Sequence, residues 1–182
     1  MASRCMHRRE NRIPSDRFLD YSGLAELGSF ERGSVVLLDD LLASGHQAVF
    51  EWDRLQRLAN IPANCRVLPA TLVSCEAGTR YVEERTDLEV CSALKLTRAN
   101  EPLDPSSHLF RTEEERAQAR QILKKYGEIL APRGPFGYAG SGLLFSFAHS
   151  TPDNSLPIFW STTGDWFPLF TSGGSTRMGA GA

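Results

Sequence analysis

The feature that most constrains the fold is an alternation of strand-like and helix-like segments between residues 34 and 94. Short runs rich in β-branched and other apolar residues predict strands at 34–38, 66–74 and 88–94. Helices are predicted at 46–60, where apolar residues recur at helical spacing, and at 76–85. This spacing favours right-handed parallel crossovers. We therefore expect an α/β fold with an open, mainly parallel sheet and flanking helices.

Two details of the predicted strands depend on single residues. The four apolar residues Val35 to Leu38 predict a strand that is buried on both faces and ends at Asp39 and Asp40. In the second strand, Pro69 has no N–H to donate to a neighbour, which predicts an edge position or a bulge.

The second half of the chain does not continue the alternation of strand-like and helix-like segments. Residues 97–111 contain two prolines and are predicted to form a loop. Thr112 and Glu115 form a capping box that predicts a helix to Leu130. Its expected apolar face comprises Ala119, Ile122, Leu123, Tyr126, Ile129 and Leu130. Short strands are predicted at 142–148 and 156–160, and a buried segment at 166–170.

The domain organisation follows from these elements. We expect one α/β domain over residues 34–170, with a C-terminal helix and short strands. Residues 1–33 form an arm that we interpret as a remnant of a truncated region. Residues 171–182 are rich in Gly, Ser and Ala, which predicts a disordered tail.

Composition excludes several classes of protein. Twenty basic and 22 acidic side chains give a net charge of −2, unlike a generally basic nucleic-acid binder. No apolar run approaches the ~20 residues of a membrane span, and no secretory signal is recognisable. The four cysteines are dispersed, which is typical of reduced thiols in a cytoplasmic protein. We therefore expect a cytoplasmic location.

The most informative stretch runs from Asp39 to Gln47. Two carboxylates follow a strand at its carboxyl end, where open α/β sheets bind ligands. A small-residue turn then leads into a helix, whose first N–H groups can hold a phosphate. Two acids beside a phosphate can bind sugar hydroxyls or a hydrated Mg²⁺. The stretch therefore predicts a site for a sugar 5-phosphate.

Other interpretations of Asp39 and Asp40 fit less closely. Acid-dependent phosphatases need an acid two residues after the nucleophile, whereas position 41 is Leu. Receiver domains carry their acidic pair after the first strand, near the N-terminus, without an Ala-Ser-Gly turn. The two acids could also be solvated turn residues that cap the helix.

Residues 35–47 resemble the PRPP-binding loop of type I phosphoribosyltransferases, with four apolar residues, two acids, two apolar residues and a small-Ser-Gly turn. The resemblance implies that Asp39 and Asp40, the catalytic candidates, bind the 2- and 3-hydroxyls of ribose. It also implies Mg²⁺ as a cofactor, carried by PRPP and held by no dedicated protein ligand beyond these two acids. The residues that would cradle the 5-phosphate are Ala43, Ser44, Gly45, His46 and Gln47. The sequence departs from the family at His46 and Gln47, where many members have Gly or Lys and then Thr.

Residues 142–160 resemble a signature of phosphoribosyltransferase-like domains in bacterial conflict systems. There a His-x-Thr-Pro-Asn-Asn-Thr-Leu-Pro pattern precedes Trp, and Asp153 and Ser155 are mild variations on it. The two resemblances together cover about residues 34–170. Three polar residues of this loop, His149, Thr151 and Asn154, are candidates for hydrogen bonds to a base or the ribose. Alternatively, they tie down their own loop.

The resemblance also sets expectations about function and partners. Type I enzymes normally place a hood, a diphosphate-binding loop and often a lid before the PRPP loop, whereas 33 residues precede the first strand here. We expect either a truncated gene product or a partner subunit that supplies these elements. The implied function is binding of PRPP or a nucleotide 5-phosphate, with phosphoribosyl transfer to or from a base, in a bacterial defence system. The alternatives are a non-catalytic nucleotide-sensing effector subunit and an inactive gene fragment.

Overall fold

The computed structural model describes residues 12–20, 23, 33–58, 61, 65–148 and 150–170. The chain forms two compact units, Met1–Lys95 and Leu96–Ala182. Most of the predicted arm and all of the predicted tail lie outside the described residues, so these two expectations stay predictions.

From residue 33 onward, the described part of the first unit contains a three-stranded sheet and two α-helices. Its elements are β1 (Ser34–Leu42), α1 (His46–Leu58), β2 (Arg66–Cys75), α2 (Glu76–Arg85) and β3 (Cys91–Leu96). The strand order is β1-β2-β3, and β1 pairs in parallel with β2. The prediction of an α/β fold with a mainly parallel sheet is confirmed.

The core of this unit forms where the apolar stripe of α1 meets the sheet and α2. Leu55 of α1 is 1% exposed. A buried cluster joins the end of β1, the middle of α2 and the segment before β3, and comprises Leu42, Val82, Leu88 and Val90. Ala48, Val49, Trp52 and Val67 pack against it. The helical spacing of apolar residues predicted this stripe. It is buried because the apolar face of an amphipathic helix packs against the core, away from water.

The sheet is covered unequally, which corrects the expectation that β1 is buried on both faces. Val35 and Leu37 are half-buried, whereas Val36 is 50% and Leu38 36% exposed. Leu38 pairs in register with Ala70, so Leu72, which is 52% exposed, lies on the same open face. The run of apolar residues predicted burial of both faces of β1. Within the described part of the chain, only the face that carries Val35 and Leu37 is covered.

Two further predictions about the strands are wrong. β1 does not end at Asp39 and Asp40 but continues to Leu42, because the backbone pairing with β2 extends past both acids to Leu42. Pro69 marks neither an edge nor a bulge: it pairs in register with Leu37 in the middle strand of the sheet. A proline removes one donor, and the ladder between β1 and β2 keeps a constant register around it.

The second unit is built on one long helix. α3 (Glu113–Leu130) begins at the predicted capping box, where the Thr112 hydroxyl accepts from the Glu115 N–H at 3.1 Å. The Glu115 carboxylate in turn accepts from the Thr112 N–H. A short helix, α4 (Pro157–Trp160), follows after a long irregular segment.

The details of the second unit differ from the predicted pattern. Residues 156–160 form α4 instead of a strand, because Pro157 supplies the fixed backbone angle of a first helical turn. The strand predicted at 142–148 is reduced, among the described residues, to one bridge between Leu143 and Ser155. The buried residues of α3 are Arg116, Gly127 and Leu130. Ile122, Ile129 and Phe167 were expected inside and are 56%, 60% and 85% exposed.

No helix in the described part of the chain is long and apolar enough to cross a bilayer.

Two leucines offer a matched test of the unequal coverage of the sheet. Leu55→Ala should lower the free energy of unfolding by about 2–5 kcal/mol, because it leaves a cavity in the core. Leu72→Ala should lower it by less than about 1 kcal/mol, because the side chain is half exposed. Urea unfolding followed by circular dichroism measures both. Equal losses would contradict an open face.

Candidate functional site

The predicted phosphate turn lies between β1 and α1. Ala43 and Gly45 are buried and Ser44 is half-buried. Gly45 has a φ of +80°, a left-handed conformation that favours glycine. Its carbonyl accepts the first helical hydrogen bond, from the Val49 N–H at 3.1 Å. The turn thus delivers the chain from the end of a strand to the first residue of α1, as the sequence predicted.

The backbone of α2 packs directly against this turn. A Cβ at Gly78 would lie 2.1 Å from the Ala43 carbonyl oxygen, and a Cβ at Gly45 would lie 2.7 Å from the Gly78 oxygen. Two glycines are therefore needed for the turn and the helix to approach so closely. Sequence reasoning missed Gly78, although a glycine within a predicted helix is a signal of close packing.

The start of α1 suits an anion better than the starts of the other long helices. The first turn of α1 contains no acidic residue, and both His46 and Gln47 are exposed there. In contrast, α2 begins with Glu76 and α3 with Glu113–Glu115. The first N–H groups of a helix carry partial positive charge. In α2 and α3 the carboxylates of the first turn already neutralise this partial charge. In α1 the charge remains available to a negatively charged ligand.

Asp39 and Asp40 lie within the last four residues of β1. Asp39 is exposed and Asp40 half-buried. Successive strand residues point to opposite faces, so the two carboxylates do not form a chelating pair. The Asp39 carboxylate accepts a hydrogen bond from the Asp40 N–H at 2.9 Å. The two acids therefore differ in exposure and in the face of the sheet to which they belong.

Thr71 of β2 lies beside Asp39 and was missed by sequence reasoning. It pairs in register with Asp39 and is 8% exposed. Its hydroxyl has no hydrogen-bond partner among the residues that the structure describes. Because a buried unpaired hydroxyl costs about 1–3 kcal/mol, this position is a weak point of the sheet next to the acidic pair.

The donor set limits how a metal could be held. The described residues contain no group of three or more His, Cys, Asp or Glu side chains that could hold an ion. Mg²⁺ usually keeps several waters and takes one or two carboxylates together with substrate phosphates. Asp39 and Asp40 fit such an ion carried by a phosphate ligand, and they do not fit a dedicated protein site.

The other candidate residues belong to the second unit. The Thr151 hydroxyl bonds with that of Ser146 at 2.9 Å, and Thr151 is 4% exposed. Asn154 is half-buried, and its amide donates to the Ser141 hydroxyl at 3.2 Å. His149 lies outside the described residues. These contacts are those expected of residues that tie down their own loop, and a contact with a base or ribose stays a prediction.

Further hydrogen bonds hold the same loop. The buried Ser155 hydroxyl donates to the Phe145 carbonyl at 2.5 Å. The Trp160 ring N–H donates to the Ser155 carbonyl at 2.9 Å. A Cβ at Gly137 would lie 2.5 Å from the Asn154 carbonyl oxygen. The motif recognised in the sequence is therefore a set of interlocked backbone and hydroxyl contacts.

Two shifted acids lie in the loop before α3 and are explained by local structure. Burial, with the neighbouring Asp104 charge, raises the pKa of Glu101. Hydrogen bonds from the side chain and backbone of Ser106 lower the pKa of Asp104. This pair stabilises a turn and carries no separate site.

The close approach of the turn to α2 predicts the effect of a single methyl group. Gly45→Ala should destabilise the protein by more than about 2 kcal/mol, because it combines left-handed strain with a clash against the Gly78 carbonyl. Gly164 is the matched control, since it has a φ of +59° and nothing within 4 Å of a Cβ. Gly164→Ala should show only the strain of about 1–2 kcal/mol in urea unfolding. An equal loss at both positions would contradict the contact with α2.

The loop contacts predict how Thr151 acts. Thr151→Val keeps the shape but removes the hydroxyl that bonds with Ser146, so the thermal midpoint should fall by the equivalent of about 1 kcal/mol. Thr162→Val removes an exposed hydroxyl and should leave the midpoint unchanged. Calorimetry measures both. An unchanged thermal midpoint in Thr151→Val would show that the hydrogen bond between Thr151 and Ser146 does not stabilise the loop.

The family of the chain is shown by comparison with known proteins. No curated protein matches the chain. The model of the PRTase-CE family matches residues 5–171, which spans both the turn after β1 and the interlocked loop of the second unit. The chain therefore belongs to the PRTase-CE family and contains a phosphoribosyltransferase-like domain.

Proposed function

We propose that the protein binds PRPP, or the 5-phosphate of a nucleotide, at the turn between β1 and α1. The observation that carries the proposal is the start of α1: it follows a glycine turn at the carboxyl end of a parallel strand and has no acid in its first turn. Ligands of open α/β sheets bind at this end of the strands. A helix start free of carboxylates attracts phosphate.

The phosphate would be held mainly by backbone. N–H groups of Ala43–Gln47 and the Ser44 hydroxyl supply neutral donors, while the exposed His46 and Gln47 side chains can add donors from the rim. Backbone donors fixed by the contact with α2 need no reorganisation when the ligand arrives, which lowers the entropic cost of binding.

The sugar would be held by the acidic pair. Ionised carboxylates accept hydrogen bonds, and the 2- and 3-hydroxyls of ribose are donors. Asp39 and Asp40 precede the turn by three to four residues, so a ribose with its 5-phosphate at α1 would extend along this end of β1, where each acid would accept one hydroxyl from its own side of the strand. Mg²⁺ would enter with the diphosphate of PRPP, where it neutralises the charge of the leaving group.

In a transfer reaction the bond from ribose C1 to diphosphate breaks, and diphosphate departs with the electron pair. A bond then forms from C1 to a ring nitrogen of the base, whose proton is lost to solvent. Residues of this chain would act by holding the sugar in place and by placing carboxylates near a cation-like ribose.

The same features serve a protein that binds a nucleotide without turnover. Donors for a phosphate and acceptors for sugar hydroxyls are sufficient for binding, so we keep a non-catalytic nucleotide-sensing effector as the second candidate. Either activity would operate in a bacterial defence system, on the resemblance of residues 142–160 to domains of such systems. Release of diphosphate from PRPP in the presence of bases separates the two candidates.

The acidic pair gives the decisive test of the proposal. Asp39→Asn with Asp40→Asn should reduce PRPP affinity at least about 100-fold, because charge-assisted hydrogen bonds of about 1.5–3 kcal/mol each are weakened. The control Asp53→Asn with Asp87→Asn removes the same charge from exposed positions of the same unit. Isothermal titration calorimetry with PRPP and Mg²⁺ measures affinity, and circular dichroism checks the fold. Unchanged affinity in the first variant would refute the proposal.

A further inference from the structure

The ring of Tyr81 forms a wall of the phosphate turn. Tyr81 lies on α2, one turn after Gly78, and is half-buried. A Cβ at Gly45 would come within 3.1 Å of its Cδ1 atom. The ring therefore touches the turn itself, at the residue whose backbone conformation directs the chain into α1.

The same ring contacts the first residue of α1. The centroids of the His46 and Tyr81 rings are 4.4 Å apart, at an interplanar angle of 43°. The two rings are therefore in contact, at an angle between the stacked and the edge-to-face arrangements. His46 is exposed, so the contact with Tyr81 restricts a ring that would otherwise be free to change rotamer.

Arg85 holds Tyr81 from its own helix. Its guanidinium carbon lies 3.8 Å from the centroid of the Tyr81 ring, at the i,i+4 spacing that brings side chains together on one helix face. Arg85 also forms a salt bridge with Glu84, which is 3.9 Å long and exposed. Exposed salt bridges are weak, so this one competes little with the contact between Arg85 and the Tyr81 ring. A cation is thus held near the phosphate turn by an aromatic ring.

From these contacts we infer that Tyr81 is a positioning residue for the phosphate site, and that Arg85 fixes it. Tyr81 orients the His46 ring at the start of α1, so that a ring N–H donates to the bound phosphate without first losing rotamer freedom. Pre-ordering of this kind raises affinity without a direct contact between Tyr81 and the ligand. The inference rests on the proposed function, because it concerns the same phosphate.

A pair of substitutions isolates the ring. Tyr81→Leu removes the aromatic ring while it keeps much of the side-chain volume, and should weaken binding of ribose 5-phosphate about five- to tenfold. Tyr81→Phe keeps the ring and should bind within about twofold of the wild type. Combining Tyr81→Leu with His46→Ala should weaken binding no more than His46→Ala alone, because both act through one ring. Titration calorimetry of the full chain gives the five dissociation constants, for the wild type, the three single variants and the double variant.

A second measurement reads the contact without a ligand. The ring-proton NMR signals of His46 should be displaced by the ring current of Tyr81 in the wild type and in Tyr81→Phe, and should return toward free values in Tyr81→Leu. In Arg85→Gln the His46 signals should move only part of the way toward free values, because the Tyr81 ring remains but loses the contact that fixes it, and this substitution leaves the core untouched.

The outcomes separate the inference from the proposed function. Wild-type chain that binds neither ribose 5-phosphate nor PRPP nor a nucleoside 5-monophosphate would overturn the proposed function and, with it, the inference. Wild-type binding with an unchanged Tyr81→Leu variant would overturn the inference alone, as would additive effects of the His46 and Tyr81 substitutions or His46 signals that do not move. The inference is supported if Tyr81→Leu binds ribose 5-phosphate more weakly than the wild type while Tyr81→Phe binds it as the wild type does.

Discussion

The first unit depends on one close approach between two backbones. The turn after β1 and the first turns of α2 meet at Gly45 and Gly78, where any side chain would collide with a carbonyl oxygen. This contact joins the end of β1 to α2, the helix that follows β2. Because protein interiors are close-packed, it also transmits any shift of α2 to the turn. The geometry of the phosphate site is therefore a property of α2 as well as of β1 and α1.

The second unit is held by a different kind of interaction. Its irregular segment has little regular secondary structure, and hydroxyl and ring N–H groups satisfy carbonyls that a sheet or helix would otherwise pair. The donors include the hydroxyls of Ser146, Ser155, Ser161 and Thr163 and the ring N–H groups of Trp160 and Trp166. Each is worth about 1 kcal/mol, but an unpaired carbonyl in their place would cost more. Polar residues that look like ligand contacts in a sequence can thus be parts of a scaffold.

Several predictions from sequence succeeded because they rest on local rules. The helix at 76–85, the start of α1 at His46 and the capping box at Thr112 follow from hydrophobic spacing and from the need to satisfy the first N–H groups of a helix. Other predictions were wrong because burial is not local. The apolar run at Val36 and Leu38 is open to solvent on the described sheet, and Pro69 occupies the middle strand.

The candidate site shows the same division. The residues of the phosphate turn, together with Asp39 and Asp40, could be named from sequence alone, since a strand, two acids and a small-residue turn before a helix are contiguous along the chain. Thr71 and Tyr81 could not, because they reach the site from other elements, and Gly78 offered only the general signal of a glycine within a helix, which does not say what packs against it. The sequence determined which residues are chemically able to bind a phosphate and a sugar. Only the tertiary structure decided which side chains support them, since packing distances between segments are set by the whole fold and not by neighbours along the chain.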